Sequence, residues 1–350
     1  MIHFPSLRLC ETLPTLRRIS VVHPIRTAVA VSIVARTEPR HAAHRMSAVF
    51  RLLGSALVWF TWVTVHAHAE SALVFQTDFG TKDGAVAAMK GVAFGVNPAL
   101  KQFDLTHEIP AYNVWEAAYR LKQTSPYWPS NTVFVSVVDP GVGTDRKAVV
   151  LRTKSGQMFV GPDNGTFTFL AESPGVDAVR EIAVSRQRLQ GSQDSHTFHG
   201  RDVFAYVGAR LAAGQLEFGD VGPRLTNDVV RLSYQQATMS HGALMGGIPV
   251  LDPQYGNVWS NIGNELFQQL QPKYGEVFAV TIRHAGRSVL ERRAVYVRSF
   301  GDVPPGKPLV YLNSLLDVSL AINQGDYARQ FKIGSGPDWT MELRKVPGAK

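Results

Sequence analysis

"FVSVVDPGVGTDRKAV", Phe134–Val149, is an apolar run that stops at a carboxylate, Asp139. It then turns through Pro140, Gly141 and Gly143 to reach a guanidinium, Arg146. A short, nearly continuous apolar run bounded by turn residues reads as a strand buried on both faces, the kind found in parallel sheets. Such a strand delivers whatever follows it to the edge of the sheet, here an acid and a glycine-rich turn.

The flanking sequence repeats the pattern. "SALVFQTD" (71–78) is an apolar run ending at Asp78, and "ALKQFDLTH" (99–107) carries Asp104 and His107. Between them a helix is predicted from about Gly84 to Val96, with Asp83 as N-cap and Asn97-Pro98 as its stop. A second helix is predicted from about Val114 to Gln123; Asn113 and Glu116 have capping-box spacing, and Ser125-Pro126 ends it. Strands alternating with helices of this length predict an α/β/α domain with a mainly parallel sheet. Ligands of such sheets bind outside the carboxyl ends of the strands, so Asp78, Asp104 and Asp139 are expected to gather at one rim.

Further on, "GQMFVGPDNGTFTFL" (156–170) predicts a strand and a tight turn at Asp163-Asn164-Gly165. "TFHGRDVFAYVGARLAAG" (197–214) sets His199 just before a helix that starts near Asp202 and stops at Gly214. After about Ser240 the pattern changes to short strands separated by Gly, Pro and Asn. They are "IPVLDPQYGNVWSNI", "VFAVTIRH", "RRAVYVRSF", "PLVYLN" and "SLAIN". The organisation expected is an α/β domain over 70–235 and a smaller β-rich, barrel-like domain over 240–350, with the boundary between about 225 and 242.

Residues 1–69 read as a leader. They hold eight of the 36 basic residues and two of the 28 acidic ones, leaving 28 and 26 in the remainder. The net charge of +8 therefore belongs mostly to the leader, and a nucleic-acid reading loses its support. Arg51 precedes an apolar stretch, Leu52–Val65, and the A-x-A sequence Ala67-His68-Ala69 follows, as in a signal peptide beginning at Met46. Residues 1–45 then read as an over-extended start. Export, into the periplasm, is expected, with no membrane span in the mature chain; the alternatives are a single N-terminal anchor and, if the leader is not functional, a cytoplasmic protein. The single cysteine, Cys10, lies in this leader, so no disulfide is expected after it.

Taken singly, the polar residues have ordinary explanations. Asp78 could cap a helix, Asp139 and Arg146 could be a turn-closing ion pair, and His199 a structural histidine. D-L-T-H lacks a helical i, i+4 ligand pair, and no Cys set completes a metal site. A GxxxxGK[ST] phosphate loop and a G-x-S-x-G nucleophile elbow are both absent. No metal and no cofactor are expected.

In combination they are more specific. "TDFGTKDG", "DLTHEIPAYNVWEAA", "VDPGVGTDR", "GPDNG", "TFHGRDVFA", "DPQYGNVWSN" and "LNS…AIN" occur in that order. Over residues 72 to about 330 the chain resembles the S-adenosylmethionine hydroxide adenosyltransferases, relatives of the fluorinase and chlorinase enzymes. The resemblance implies hydrolysis of S-adenosyl-L-methionine to adenosine and L-methionine by a homotrimer with active sites between subunits. It implies that Asp139, Arg146 and His199 are catalytic, and that Asp78 holds the ribose diol. Asp83 would lie near the methionine moiety, and Tyr112 where halogenating relatives carry a tryptophan against the substrate. Phe198 would line the same site, Asp252 and Asn257 would contact the methionine amine and the adenine edge, and Ser314 and the backbone at Gln324 would contact methionine and adenine.

Halogenating relatives carry Tyr-Pro-Ala-Thr where this chain reads Asp139-Pro140-Gly141-Val142, and a carboxylate there would repel a halide. The chain also has no room between Val149 and Phe159 for the long fluorinase insertion. It departs from those relatives at Leu315, where they carry an arginine. On this reading Asp139 and His199 orient a water while Arg146 fixes the carboxylate. The alternatives are a halide-using enzyme on the same substrate, a metal-dependent phosphoester hydrolase built on the strand-end acids, and an exported trimer that binds the nucleoside without turnover.

Overall fold

The computed structural model describes residues 71–348, which fall in one compact unit. The leader, with its expected signal peptide, cleavage site and Cys10, lies outside them. Two sheets and a few short helices make a mixed α/β fold. The first sheet contains β1 (Leu73–Thr77), β2 (Gln102–Thr106), β3 (Val133–Val137), β4 (Ala148–Thr153), β5 (Met158–Pro162) and β6 (Val176–Glu181), in the order β2-β1-β3-β5-β4-β6. β2, β1, β3 and β5 are parallel, as the strand–helix alternation predicts. β4 and β6 run antiparallel to their neighbours. β4 was not expected as a separate strand. Only 154–157 separate it from β5, and so short a link joins antiparallel strands, whereas a parallel pair needs a crossover.

Every residue of β1 and β3 is buried, so side chains alternate between two apolar layers. Leu73, Phe75, Val133 and Val135 face Met89, Ala93, Val203 and Val207; Val74 and Phe134 face Leu121, Phe159, Phe167 and Leu170. The rings of Phe134 and Phe159 stack at 4.8 Å. α1 (Ala85–Val96) begins one residue later than predicted, because the Asp83 carboxylate accepts from Ala85 N at 2.9 Å while Gly84 takes the cap position. α2 (Val114–Thr124) is capped by Asn113 as predicted, its Oδ1 accepting from Glu116 N at 3.0 Å. The reciprocal half of the capping box is missing because Glu116 accepts instead from Arg120, whose Nη2 is 2.8 Å from Oε1. The helix expected near Asp202 begins as a wide turn, Gly200–Ala205, and becomes regular over Tyr206–Ala212.

The second sheet has nine strands. They are β7 (Thr238–Ser240), β8 (Ala243–Ile248), β9 (Val250–Leu251), β10 (Val258–Gly263), β11 (Val277–His284), β12 (Arg287–Tyr296), β13 (Pro308–Leu312), β14 (Asp317–Ile322) and β15 (Gly336–Lys345). Their order is β7-β8-β15-β11-β12-β13-β14-β10-β9, antiparallel except for β12 beside β13. Leu244, Phe278, Val280, Tyr296, Leu320 and Leu343 fill its core. α2 ties the two sheets together: Trp115 Nε1 donates to Pro249 O at 2.6 Å and Arg120 Nη2 to Leu251 O at 3.2 Å. Among the described residues no helix is long and apolar enough to cross a membrane.

The helix Tyr206–Ala212 rests on β3 through a glycine. A Cβ at Gly208 would meet Val135 Cγ2 at 2.3 Å. Gly208→Ala should therefore destabilise the fold by about 1–3 kcal/mol, the usual cost of overpacking a core. The expected readout is a lower urea midpoint with unchanged far-UV dichroism.

Candidate active site

β3 carries the chain to Asp139, and the turn that follows folds back on it. Arg146 Nε donates to both carboxylate oxygens, at 3.0 and 3.1 Å, and Nη2 donates to Oδ2 at 2.5 Å. The two side chains are only 4% and 11% exposed, so this is a buried, bidentate charge pair rather than a surface contact. Glycine is needed within the turn. Gly143 has φ +79, and a Cβ at Gly141 would press on Arg146 Cγ at 3.2 Å. Asn164 braces the turn from behind, its Nδ2 donating to Val138 O at 2.9 Å while its Oδ1 accepts from Thr166. The sequence marks Asp163-Asn164-Gly165 only as a turn; its service to the Asp139 turn appears only in three dimensions.

His199 completes the group. Arg146 Nη2 lies 3.0 Å from His199 Nδ1. A guanidinium can only donate, so Nδ1 must accept, and the ring proton of neutral His199 sits on Nε2. Burial holds the His199 pKa below the usual histidine value; the cations Arg146 and Arg188 push in the same direction, and Asp139 opposes them. Arg188 is a residue that sequence reasoning missed. Its Nε donates to Ser192 O and Oγ, at 3.1 and 2.9 Å, and its Nη2 to Ser195 O, so it ties down the loop leading into Thr197-Phe198-His199. Arg188 Nη2 also lies 3.5 Å from the carboxylate of Asp202, which is fully buried and bonded to Arg201 Nε at 2.6 Å. Asp202 reads in the sequence only as a helix start, and nothing in the spacing from Arg188 announces the pair.

Asp139 and His199 border a cleft of about 290 Å³ whose lining also includes Asp78, Phe79, Tyr112 and Phe198. Asp78 Oδ2 accepts from Tyr112 N at 2.8 Å, which fixes Tyr112 in a left-handed conformation, φ +67, with its side chain largely exposed. The rings of Phe79 and Phe198 meet edge to face at 5.7 Å. Asp104 does not join the rim acids. It is held by Lys90 Nζ at 2.6 Å and by His107 Nε2 at 3.0 Å. His107 Nδ1 is engaged by Thr77 Oγ1 at 2.9 Å, and His107 O accepts from Gly80 N at 2.7 Å, so Asp104 and His107 brace the loop that carries Asp78. Among the described residues no three His, Cys, Asp or Glu side chains cluster as a metal site.

The remaining predicted residues lie elsewhere. Asn257 and Gln324 line a second hollow, about 540 Å³, with Gln254, Tyr255, Phe300 and Asp326. Asp252 sits behind it, its Oδ2 accepting from Asn257 Nδ2 at 3.1 Å and its Oδ1 from Gln254 N at 3.1 Å. Ser314 and Asp83 are exposed and line neither hollow. The structure thus joins Asp78, Tyr112, Asp139, Arg146, Phe198 and His199 in one group. Asn257 and Gln324 form another.

The profile of the SAM hydroxide adenosyltransferase N-terminal domain matches residues 73–222, and that of the C-terminal domain matches residues 246–340. The chain is 38% identical over 264 residues to an (R)-S-adenosyl-L-methionine hydrolase of Salinispora arenicola, covering 75% of this chain and 94% of that protein. It is 28% identical to a fluorinase of an Actinoplanes species over 295 residues, 77% of this chain and 97% of the fluorinase. A conserved protein of Thermotoga maritima whose crystal structure is known superposes with a TM-score of 0.72 at 37% identity, over 78% of this chain and 99% of that one. With these matches spanning the sheet that holds the Asp139 cleft and the sheet that holds the Asn257 hollow, the chain belongs to the SAM hydroxide adenosyltransferase family.

Proposed function

We propose that this protein hydrolyses S-adenosyl-L-methionine to adenosine and L-methionine, with water attacking C5′. The observation that carries the proposal is the convergence of Asp139 and His199, bridged from behind by Arg146, beside Asp78 in one cleft. Its relatives' names point to the same substrate and specify its (R) form.

The chemistry follows from the charges. Asp78 is an acceptor-only group suited to a ribose diol. A water between Asp139 and His199 can give one proton to the carboxylate and accept the Nε2–H of the imidazole. That leaves its remaining lone pair for carbon. As the C–O bond forms, the C5′–S bond breaks with its electron pair remaining on sulfur, which leaves as neutral methionine. The water proton passes to Asp139 and then to solvent. Arg146 fixes the Asp139 carboxylate in place, so the main work of that residue is orientation, and fixing one water in line supplies much of the rate. The positive charge passes from sulfur to the attacking oxygen and is cancelled as the proton goes to the Asp139 carboxylate, a neutralisation that a dry cleft favours.

The same reading makes the protein a homotrimer, the Asp139 cleft of one subunit facing the Asn257 hollow of the next. Two separate hollows on one chain, each holding part of the expected site, support it. Asp83, Asp252 and Ser314 would meet the methionine end there, and Gln324 the adenine. It also treats 70–235 and 240–350 as separate domains, the second curled like a barrel, and the leader as an export signal that would place the mature protein in the periplasm, which cell fractionation tests.

Incubation with resolved (R) and (S) substrate should release adenosine and methionine in equal amounts, with adenosine the sole nucleoside product in saturating chloride. Asp139→Asn should lower kcat by about 10²-fold or more, the usual contribution of a positioned proton acceptor. Arg146→Ala should cost at least ~10-fold, measured where thermal melts show the variant folded; a loss within ~2-fold would remove the residue from the mechanism.

The acid limb of kcat/KM should lie below the usual histidine value of 6.5, because protonated His199 can no longer accept from Arg146. The sign for stability agrees. The unfolded chain binds the proton first, so stability is lost as pH falls from about 6.5 through the lower folded value. Arg188→Gln removes one of the cations that depress His199 and should move the limb upward.

Mixed trimers of Asp139→Asn and Asn257→Ala subunits should recover activity that neither variant shows alone. No recovery would place both halves of the site on one subunit.

A further inference from the structure

A third cavity, about 530 Å³, lies between the two sheets, lined by Lys122, Pro126, Trp128, Ser155, Leu315 and Asp317 among others. Trp128 and Ser155 precede the N-terminal ends of β3 and β5, whereas Asp139 follows the C-terminal end of β3. The cavity is therefore at the opposite end of the sheet from the proposed active cleft, with which it shares no lining residue.

Asp317 is 7% exposed, and its backbone is fixed by Asn313, whose Oδ1 accepts from Asp317 N at 3.0 Å. Its carboxylate receives no hydrogen bond among the described residues. Burial pushes its pKa up, and Lys122 only partly offsets this. A buried carboxyl group without a hydrogen-bond partner is costly, so one facing a cavity is a recognition element in want of a ligand. Lys122 borders the same cavity and makes no ion pair among the described residues. Its Nζ lies over the rings of Tyr119 and Phe169, at 5.7 and 5.6 Å. One group of each sign thus lines a single hollow without pairing with the other, and the rest of the wall is an indole, two prolines and a leucine together with four serines and Gln157. The volume falls within the range of small-molecule sites, about 300–1,000 Å³.

We propose that this cavity binds a free α-amino acid with an apolar side chain, its ammonium on Asp317, its carboxylate on Lys122 and its side chain against Trp128, Pro126 and Leu315. A zwitterion is the ligand class that satisfies both charges at once while leaving the net charge unchanged. L-Methionine, the product of the proposed hydrolysis, belongs to this class. The site itself stands on Asp317 and Lys122 and not on that reaction.

The test is titration of the full chain with L-leucine, which the proposed reaction neither consumes nor releases, followed by calorimetry and thermal shift. Saturable binding is expected in the wild type and equally in Asp139→Ala, compared under conditions where thermal melts show that variant folded. It should be at least ~10-fold weaker in Asp317→Asn and in Lys122→Met. Isoamylamine and isovalerate, each lacking one of the two charges, should also bind at least ~10-fold more weakly than leucine. Should Asp317→Asn fail to fold, Lys122→Met and the two analogues still decide. The proposal is overturned by the absence of saturable binding up to ~10 mM, by equal affinity in the Lys122 variant, or by loss of binding in Asp139→Ala. Failure here with intact adenosine release would leave the hydrolase reading standing.

Discussion

The guanidinium of Arg146 is shared between a carboxylate and an imidazole, and the rest of the site is arranged around that sharing. With two donors on Asp139 and one on His199 Nδ1, it sets the orientation of both groups and the tautomer of the second. The pair is nearly sealed from solvent, so it cannot be lost piecemeal. Removing one member of a buried pair typically costs about 3–5 kcal/mol, because the other charge is left without compensation. A surface pair of the same residues would be worth far less and would position nothing.

Structure and chemistry are joined here through glycine and asparagine as much as through the charged residues. The chain must reverse within seven residues for Arg146 to reach back to Asp139; Gly143 supplies the left-handed backbone of the turn, and Gly141 keeps a Cβ away from the arginine stem. Asn164 then locks the strand end through Val138 O. The second support is ionic: Asp202 and Arg188, both deeply buried, hold the loop that presents His199. One support anchors the acid and the other the imidazole.

The sequence made part of this readable. The parallel strands, α2 with its Asn113 cap, and the Asp139–Arg146 pair follow from local rules: an apolar run, a cap residue, a charge spacing across a turn. The antiparallel β4 was missed because its apolar run carries no directional signal; the short link to β5 decides the pairing. Asp104 was expected at the rim because a strand end looks the same whether its acid faces the cleft or a neighbouring lysine. Arg188 was invisible for a related reason: its partners Ser192, Ser195 and Asp202 are set by the path of a loop, not by any period. The cavity at Asp317 is further still from sequence reading, since its walls come from four separate stretches of chain.

The electrostatics of the cleft also bear on which nucleophile it can admit. Arg146 commits Nε and Nη2 to Asp139 and His199 and does not itself line the cleft, so its charge is directed at those two side chains rather than at an entering anion. An incoming halide would meet the face of a carboxylate whose compensating charge is already committed behind it. A neutral water meets the opposite situation: an acceptor at Asp139, a donor at His199 Nε2, and no net field that must be overcome to enter. Keeping His199 neutral is therefore part of the same arrangement. A protonated imidazole would repel Arg146, release the turn and offer the entering ligand a positive charge where the sulfonium substrate must approach. The depressed basicity of His199, caused by burial and two neighbouring arginines, is what makes the site hospitable at once to a cationic substrate and an uncharged nucleophile.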